Sequence, residues 1–122
     1  MSFKKRAAAR VEGAVAQINA THREGERSVK TAQQTIKSMD KAIKLARDNA
    51  AVTEDEIAYL RKQLVIGGST LDSVLSAEAR LYDAESKEIN FQADKYKAQL
   101  TILSVLGLLS KTMGLNASAQ QS

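Results

Sequence analysis

Apolar side chains recur every three or four residues along the first half of the chain. The series begins at Ala8, ends at Leu64 and keeps a heptad register without a break. A repeat averaging 3.5 residues keeps one stripe facing a partner helix and imposes a left-handed supercoil. A single helix of this length is not stable on propensity alone, so its apolar stripe needs a partner. The pattern therefore predicts a helix from about residue 4 to residue 65 that packs against a second helix.

Two adjacent glycines, Gly67 and Gly68, interrupt the helical pattern in a chain that contains no proline. Glycine adopts positive φ at no steric cost, so the first helix can end there in a left-handed cap. Ser69 or Thr70 can then accept hydrogen bonds from the free N–H groups that open the next helix. We therefore expect a tip at residues 66–70, followed by a second helix over about 71–113. The predicted fold is all-α, a long antiparallel two-helix hairpin of the coiled-coil type.

The second helical segment carries two apolar stripes at heptad spacing. The first stripe includes Leu71, Leu75, Tyr82, Ile89, Tyr96, Leu100 and Leu103. The second includes Val74, Ala77, Leu81, Ala84, Phe91, Ala98, Ile102, Val105 and Leu109. Part of a further stripe occurs in the first segment, at Ala42, Leu45, Val52 and Tyr59. Two stripes on one helix indicate neighbours on two sides, and a lone hairpin can cover only one of them.

Two arrangements would cover the remaining stripe: a wall of helices closed into a cylinder, or a compact three- or four-helix assembly formed by self-association. We expect the isolated chain to self-associate because exposed stripes of this length are unfavourable in water. The expected contacts are Val74, Leu81, Phe91, Ile102 and Val105.

The two predicted helices differ in length, so about the first twenty residues should extend beyond the partner helix. His22 and Gly25 lie where this extension begins, and Gly25 predicts a break or bend because glycine costs about 1 kcal/mol against alanine inside a helix. The polar residues 116–122 predict a disordered tail after the helical domain of residues 1–115.

The composition argues against catalysis. The chain has 122 residues, no cysteine, no tryptophan and a single histidine, His22. It contains no Gly-rich phosphate loop and no nucleophile elbow, so we expect no catalytic, metal-binding or cofactor-binding residues and no enzymatic activity. The formal charge of +4 is spread along both segments, which favours solvated helix faces over nucleic-acid binding. Neither a signal peptide nor a spanning helix is evident, so we expect this segment to be soluble by itself.

The tip and the helix after it resemble a known family. The matching positions are Tyr59, Gln63, Gly67, Ser69, Thr70, Leu71, Val74, Leu75, Ala77, Glu78, Leu81 and Ala84, continued by Ala93, Tyr96, Leu100, Leu103, Gly107 and Leu109. This series resembles the C-terminal periplasmic hairpin of TolC-type outer membrane channels for efflux and type I secretion. The resemblance extends from about residue 29 to residue 115, and the tip is its most specific part.

The resemblance implies a function. In such channels three protomers form a β-barrel in the outer membrane and a long α-barrel in the periplasm. This chain would supply one hairpin of the α-barrel, without the strands that contact the membrane. The tip, at Gly67, Gly68, Ser69, Thr70 and Leu71, would dock on a periplasmic adaptor protein that works with an inner-membrane pump.

The resemblance also points to a pore gate near the tip. Where the family often carries two aspartates that face the pore, this chain has Ser73 and Ser76, while Asp72 stands at a usually aliphatic position. Ser69 stands where a basic residue is frequent. The candidate gate is therefore a ring of hydroxyl groups at Ser73 and Ser76.

Two alternatives remain open at this point. The first is the hairpin of the periplasmic adaptor itself, whose tip carries an Arg-Leu-Ser pattern; Arg61, Leu64 and Ser69 fit that pattern at poor spacing. The second is a free-standing coiled-coil interaction protein. Sequence upstream of the hairpin would separate the three, since barrel strands indicate a channel and lipoyl sequence an adaptor.

Overall fold

The computed structural model describes the backbone of residues 2–121, and the side chains of residues 2–112 and 114. Two helices account for most of this backbone: α1, Phe3–Val65, and α2, Leu71–Gln121. No strand occurs between residues 2 and 121, and the two helices pack against each other. The predicted all-α two-helix hairpin is thus confirmed.

The observed boundaries agree with the prediction at the tip and differ at the end of α2. α1 ends at Val65 and α2 begins at Leu71, as the glycine pair and the hydroxyl residues indicated. α2 does not stop near residue 113, because its backbone remains helical to Gln121. The predicted tail of residues 116–122 thus corresponds to helical backbone as far as Gln121, and Ser122 lies outside the described residues. Alanine and glutamine are good helix formers, and without proline the single Gly114 does not end the helix.

The chain divides into two compact units. The tip unit consists of residues 35–97 and contains the reversal between α1 and α2. The terminal unit combines residues 1–34 with residues 98–122, the opposite ends of the same two helices. Between residues 2 and 121 no helix is both long enough and apolar enough to cross a bilayer.

The core of the tip unit is a narrow seam of small and branched side chains. On α1 the buried positions are Ile43, Ala46, Thr53 and Ile57. On α2 they are Val74, Ala77 and Ala84. Alanine at a heptad position lets two helices approach closely, and Ala77 is completely buried. The polar member, Thr53, donates its hydroxyl proton to the carbonyl oxygen of Asn49 at 2.8 Å, which leaves no unpaired polar atom in the seam.

Four ion pairs between the helices flank this seam. The pairs are Arg61 with Glu78, Glu56 with Arg80, Arg47 with Glu88, and Asp40 with Lys95. From the tip outward, each successive pair joins an earlier residue of α1 to a later residue of α2, as an antiparallel arrangement requires. Exposed pairs add little stability individually, but a shift of α2 by one helical turn, about 5.4 Å, would move every pair away from its present partner. They therefore favour one register of α2 against α1.

The described side chains of the terminal unit are less buried than those of the tip unit. Among its described side chains the buried apolar ones are Ala32 and Ala98, and every residue from 2 to 20 is exposed. Gly25 lies inside an unbroken α1, so the predicted break at this glycine was wrong. A methyl group at this position would approach Val105 to 3.2 Å and Leu109 to 3.8 Å. The glycine therefore provides space for the α2 side chains.

Candidate functional site: the tip and two uncovered stripes

The tip is held rigidly by hydrogen bonds that close the end of α1. Gly67 has a φ of 80°, the left-handed conformation predicted for the cap. Its N–H donates to the carbonyl of Leu64 at 3.3 Å, and the N–H of Gly68 donates to the carbonyl of Gln63 at 2.7 Å. This pair of bonds is the Schellman motif, which satisfies carbonyl groups that the helix end leaves free.

Hydroxyl groups complete the other side of the tip. Thr70 is the N-cap of α2, because its Oγ1 accepts a hydrogen bond from the N–H of Ser73 at 3.2 Å. Ser69 has a different role: its hydroxyl donates to the carbonyl of Leu60 at 2.6 Å and ties the loop back to α1. Of the two capping candidates, Thr70 is thus the cap and Ser69 is a brace.

The tip presents a cluster of aliphatic side chains to solvent, which we call the tip patch: Leu64, Val65, Ile66, Leu71 and Leu75. Val65 is 86% exposed and Ile66 is 75% exposed. The predicted tip included Ile66, but the predicted docking set, Gly67 to Leu71, contained neither Val65 nor Ile66. The signal was available, because these two residues follow the last position of the α1 heptad stripe and precede the glycines, where no partner helix can cover them.

The two candidate gate residues, Ser73 and Ser76, are both exposed. The Ser73 Oγ lies 2.9 Å from Thr70 Oγ1, so this hydroxyl belongs to the N-cap network. Residues three or four apart share one side of a helix, so Ser76 lies on the same side of α2 as Arg80 and Asp83. The gate candidates therefore share a polar side of α2.

The uncovered stripe on α2 is the opposite of the one that the sequence analysis expected. Val74 is buried, and Leu81, Phe91, Ile102 and Val105 are half-buried, so these five residues form the closed seam. Their prediction as the self-association surface was wrong.

The other series remains in solvent. Its members within the tip unit, which we call the α2 stripe, are Leu75, Tyr82, Ile89 and Tyr96, each 52% to 74% exposed. The physical reason is the close approach allowed by Ala77 and Ala84 in the seam. The tyrosines, with a polar hydroxyl on a large ring, stay at a surface that water reaches.

A second uncovered stripe lies on α1. It consists of Leu45, Val52 and Tyr59, which are 61% to 67% exposed, and we call it the α1 stripe. The sequence analysis predicted this series as part of a second seam, and nothing else in the described chain covers it. It has the same seven-residue spacing as the α2 stripe, so the two have matching periodicity.

The α1 and α2 stripes lie on opposite sides of the tip unit. Leu45 and Val52 border a groove of about 530 Å³ whose other wall includes Arg80 and Lys87. The α2 stripe borders the other side, where Glu78 and Arg61 line a second groove. Tyr82 lies one helical turn after Glu78 and therefore faces the same way. Each side of the tip unit therefore has one exposed apolar stripe and at least one interhelical ion pair.

The pair of Glu56 and Arg80 is the best-formed ion pair. The two guanidinium nitrogens of Arg80 donate to the two carboxylate oxygens of Glu56 at 2.8 and 3.0 Å. These hydrogen bonds hold the pKa of Glu56 below its ordinary value and raise the pKa of Arg80. The sequence analysis missed this pair, although counting heptads outward from the tip would have placed both residues at facing flanks of the seam.

The side chains at the tip and on the stripes are suited to packing against another surface: aliphatic groups, tyrosine rings and hydroxyls. Among the described residues, no three acidic, histidine or cysteine side chains are grouped as a metal site. In comparisons with known proteins, no family model, no curated protein and no solved structure matches this chain.

Proposed function

We propose that this chain is a non-catalytic periplasmic hairpin of a TolC-like outer membrane channel for efflux or type I secretion. Its two sides would pack against other hairpins of a trimeric channel. Its tip would dock on a periplasmic adaptor that links the channel to an inner-membrane pump. The full-length protein would belong to the outer membrane, with this segment in the periplasm.

The observation that carries the proposal is the pair of uncovered stripes on opposite sides of the tip unit. A hairpin that works alone gains nothing from Leu45 and Val52 on one side and Tyr82 and Ile89 on the other. A hairpin inside a wall of helices needs a contact on each side, because every helix then has two neighbours. Large exposed apolar side chains that recur along one face of a helix are typical of an interaction site.

The tip supports the docking part of the proposal. Its backbone is fixed by the Gly67 cap and the Thr70 cap, so little conformational entropy would be lost when a partner binds. Val65, Ile66 and Leu71 supply apolar area at the outermost point of the hairpin. The residues of the predicted docking set, from Gly67 to Leu71, therefore hold the shape of the tip, and the neighbouring aliphatic side chains would make much of the contact.

The gate is proposed at Ser73 and Ser76. In a trimeric pore these hydroxyls would give a polar but uncharged ring, which binds multivalent cations weakly compared with a ring of carboxylates. Conductance of the intact channel in a planar bilayer should therefore show little block by trivalent cations. The variants Ser73→Asp and Ser76→Asp should acquire block, and the absence of any gain would place these residues away from the pore.

Photo-cross-linking in the native host tests the docking role directly. A benzophenone amino acid replaces Ile66 at the tip, and the matched control carries the same group at Asp48, an exposed α1 position outside the stripes. The expected product at position 66 is a covalent adduct with a protein whose sequence has lipoyl halves flanking a helical hairpin. The control should not give that adduct.

Other outcomes of the same experiment distinguish the alternatives. A cross-link from position 66 to a barrel-bearing channel would identify this chain as the adaptor hairpin. Cross-links only to further copies of the chain would favour the free-standing coiled coil. Either result would contradict the proposed function.

A further inference from the structure

The terminal unit has a strong charge imbalance that the whole-chain value conceals. Its sequence contains eight lysines and arginines and three acidic residues, which gives a net charge of +5. The tip unit contains ten lysines and arginines and eleven acidic residues, which gives a net charge of −1. The four ion pairs found between the helices among the described residues all lie in the tip unit. The positive charge of the terminal unit is therefore not neutralised across a helix interface within the described residues.

The imbalance is concentrated at the beginning of α1. Lys4, Lys5, Arg6 and Arg10 are exposed, and Glu12 is the one acidic residue between positions 2 and 22. None of the four cations forms an ion pair in the part of the chain that the structure describes. Four unpaired cations against one carboxylate make this segment an electrostatic attractor for anionic surfaces.

The same segment carries uncovered apolar side chains. Val11, Val15 and Ile18 continue the α1 heptad stripe and are 62%, 50% and 41% exposed. Phe3, at the first turn of the helix, is 87% exposed. A helix that combines an apolar stripe with a cluster of basic residues is typical of segments that lie in the interface of a membrane.

We propose that residues 3–18 form a docking segment for an anionic lipid surface. Val11, Val15 and Ile18 would enter the boundary between headgroups and acyl chains, while Lys4, Lys5, Arg6 and Arg10 would contact lipid phosphates. The segment lies on the bilayer and does not cross it. This inference does not depend on the proposed channel function.

Lipid accounts for both features of the segment at once. A nucleic acid would attract the cations through its phosphates but would leave Val11, Val15 and Ile18 in water. A bilayer with anionic headgroups offers charge at its surface and apolar volume directly beneath. The tip patch provides an internal contrast, since it is apolar without a comparable excess of cations.

Vesicle co-sedimentation of the full chain tests the electrostatic part. The chain should bind phosphatidylcholine vesicles containing phosphatidylglycerol and should bind pure phosphatidylcholine much more weakly. Each cation near an anionic surface contributes about fivefold in partitioning, so the Lys4→Gln, Lys5→Gln, Arg6→Gln variant should bind on the order of a hundredfold more weakly. The matched control, Lys37→Gln with Lys41→Gln and Lys44→Gln, removes the same charge from exposed lysines of the tip unit and should retain binding.

Fluorescence tests whether the apolar stripe enters the bilayer. The chain contains no tryptophan, so Val15→Trp places a single reporter in the segment. Its emission should shift to shorter wavelength when phosphatidylglycerol vesicles are added. Val52→Trp, at an exposed valine of the tip unit, should show no vesicle-induced shift.

Three results would overturn the proposal. The first is an equal loss of vesicle binding in the variant at positions 4, 5 and 6 and in the variant at positions 37, 41 and 44, which would indicate a response to net charge alone. The second is an unshifted Val15→Trp emission in the presence of bound vesicles. The third is binding to a DNA duplex at the same salt concentration without binding to vesicles.

Discussion

The tip unit and the terminal unit are made from the same two helices but are stabilised differently. In the tip unit a seam of buried residues is reinforced by four ion pairs between α1 and α2. Among the described side chains of the terminal unit the buried apolar residues are two alanines, and residues 2–20 are exposed. Since stability need not be uniform along one fold, the comparison predicts a well-fixed tip unit and a terminal unit that opens more easily.

The two units also expose different kinds of surface. The tip unit uses most of its charge internally and leaves two apolar stripes and the tip patch exposed. In the terminal unit Lys4, Lys5, Arg6 and Arg10 form no ion pair with any described residue. A protein partner is the natural complement of the first surface, and an anionic one is the natural complement of the second.

The largest expected effect contrasts isoleucines of the two units. Ile57 is buried in the tip-unit seam, so Ile57→Ala should lower the free energy of unfolding by about 2–5 kcal/mol. Ile18 is 41% exposed, so Ile18→Ala should cost under about 1 kcal/mol. Urea unfolding followed by circular dichroism measures both. Equal costs would show that the two units are packed alike.

A contrast in sign is expected for two glycines. Gly67 has positive φ, so Gly67→Ala should destabilise the hairpin by about 1–2 kcal/mol. Gly13 lies within α1 in the terminal unit, with open space around it, so Gly13→Ala should stabilise by up to about 1 kcal/mol. Thermal unfolding of the two variants gives the signs, and stabilisation by Gly67→Ala would refute the left-handed cap.

The N-cap of α2 should contribute a smaller amount. Thr70→Val keeps the shape of the side chain but removes the oxygen that accepts from the Ser73 N–H, which should cost about 1 kcal/mol. Thr31→Val, at an exposed position inside α1, is the control and should change the unfolding midpoint little. Equal midpoints in both variants would contradict the assignment of Thr70 as the cap.

The smallest effect concerns the ion pair of Glu56 and Arg80. The folded chain lowers the pKa of Glu56, so its contribution is present above the ordinary pKa of 4.5 and is lost as pH falls through the lower folded value. The difference in Tm between the wild type and Glu56→Gln should therefore shrink between about pH 6 and about pH 3. Glu54→Gln is the control, because that carboxylate forms no ion pair among the described residues. A pH-independent difference would contradict the pairing.

The sequence predicted much of the fold because the helices depend on local patterns. Heptad spacing up to Leu64, positive φ at Gly67 and a hydroxyl cap at Thr70 each follow from one short stretch of residues. The end of α2 was not predicted, because neither Gly114 nor the polar residues after it are strong stop signals when proline is absent.

The candidate site was predicted less completely, because its surfaces depend on which stripe faces the partner. Val74 and Tyr82 belong to two equally regular series, and periodicity alone does not rank them. Ala77 and Ala84 determine which series faces α1, because their small side chains let α1 approach closely. The Ser69 brace and the ion pairs depend on contacts between distant parts of the sequence, which a single helix pattern does not contain.

Sedimentation equilibrium tests most directly the central claim, that the exposed stripes of the tip unit are the association surface. The unmodified chain should associate at high micromolar concentration, and Tyr82→Ser with Ile89→Ser should be monomeric with unchanged helix content, since both residues are exposed. Leu103→Ser with Leu106→Ser, at exposed leucines of the terminal unit, should still associate. A monomeric unmodified chain, or full association of the Tyr82 and Ile89 variant, would contradict the account.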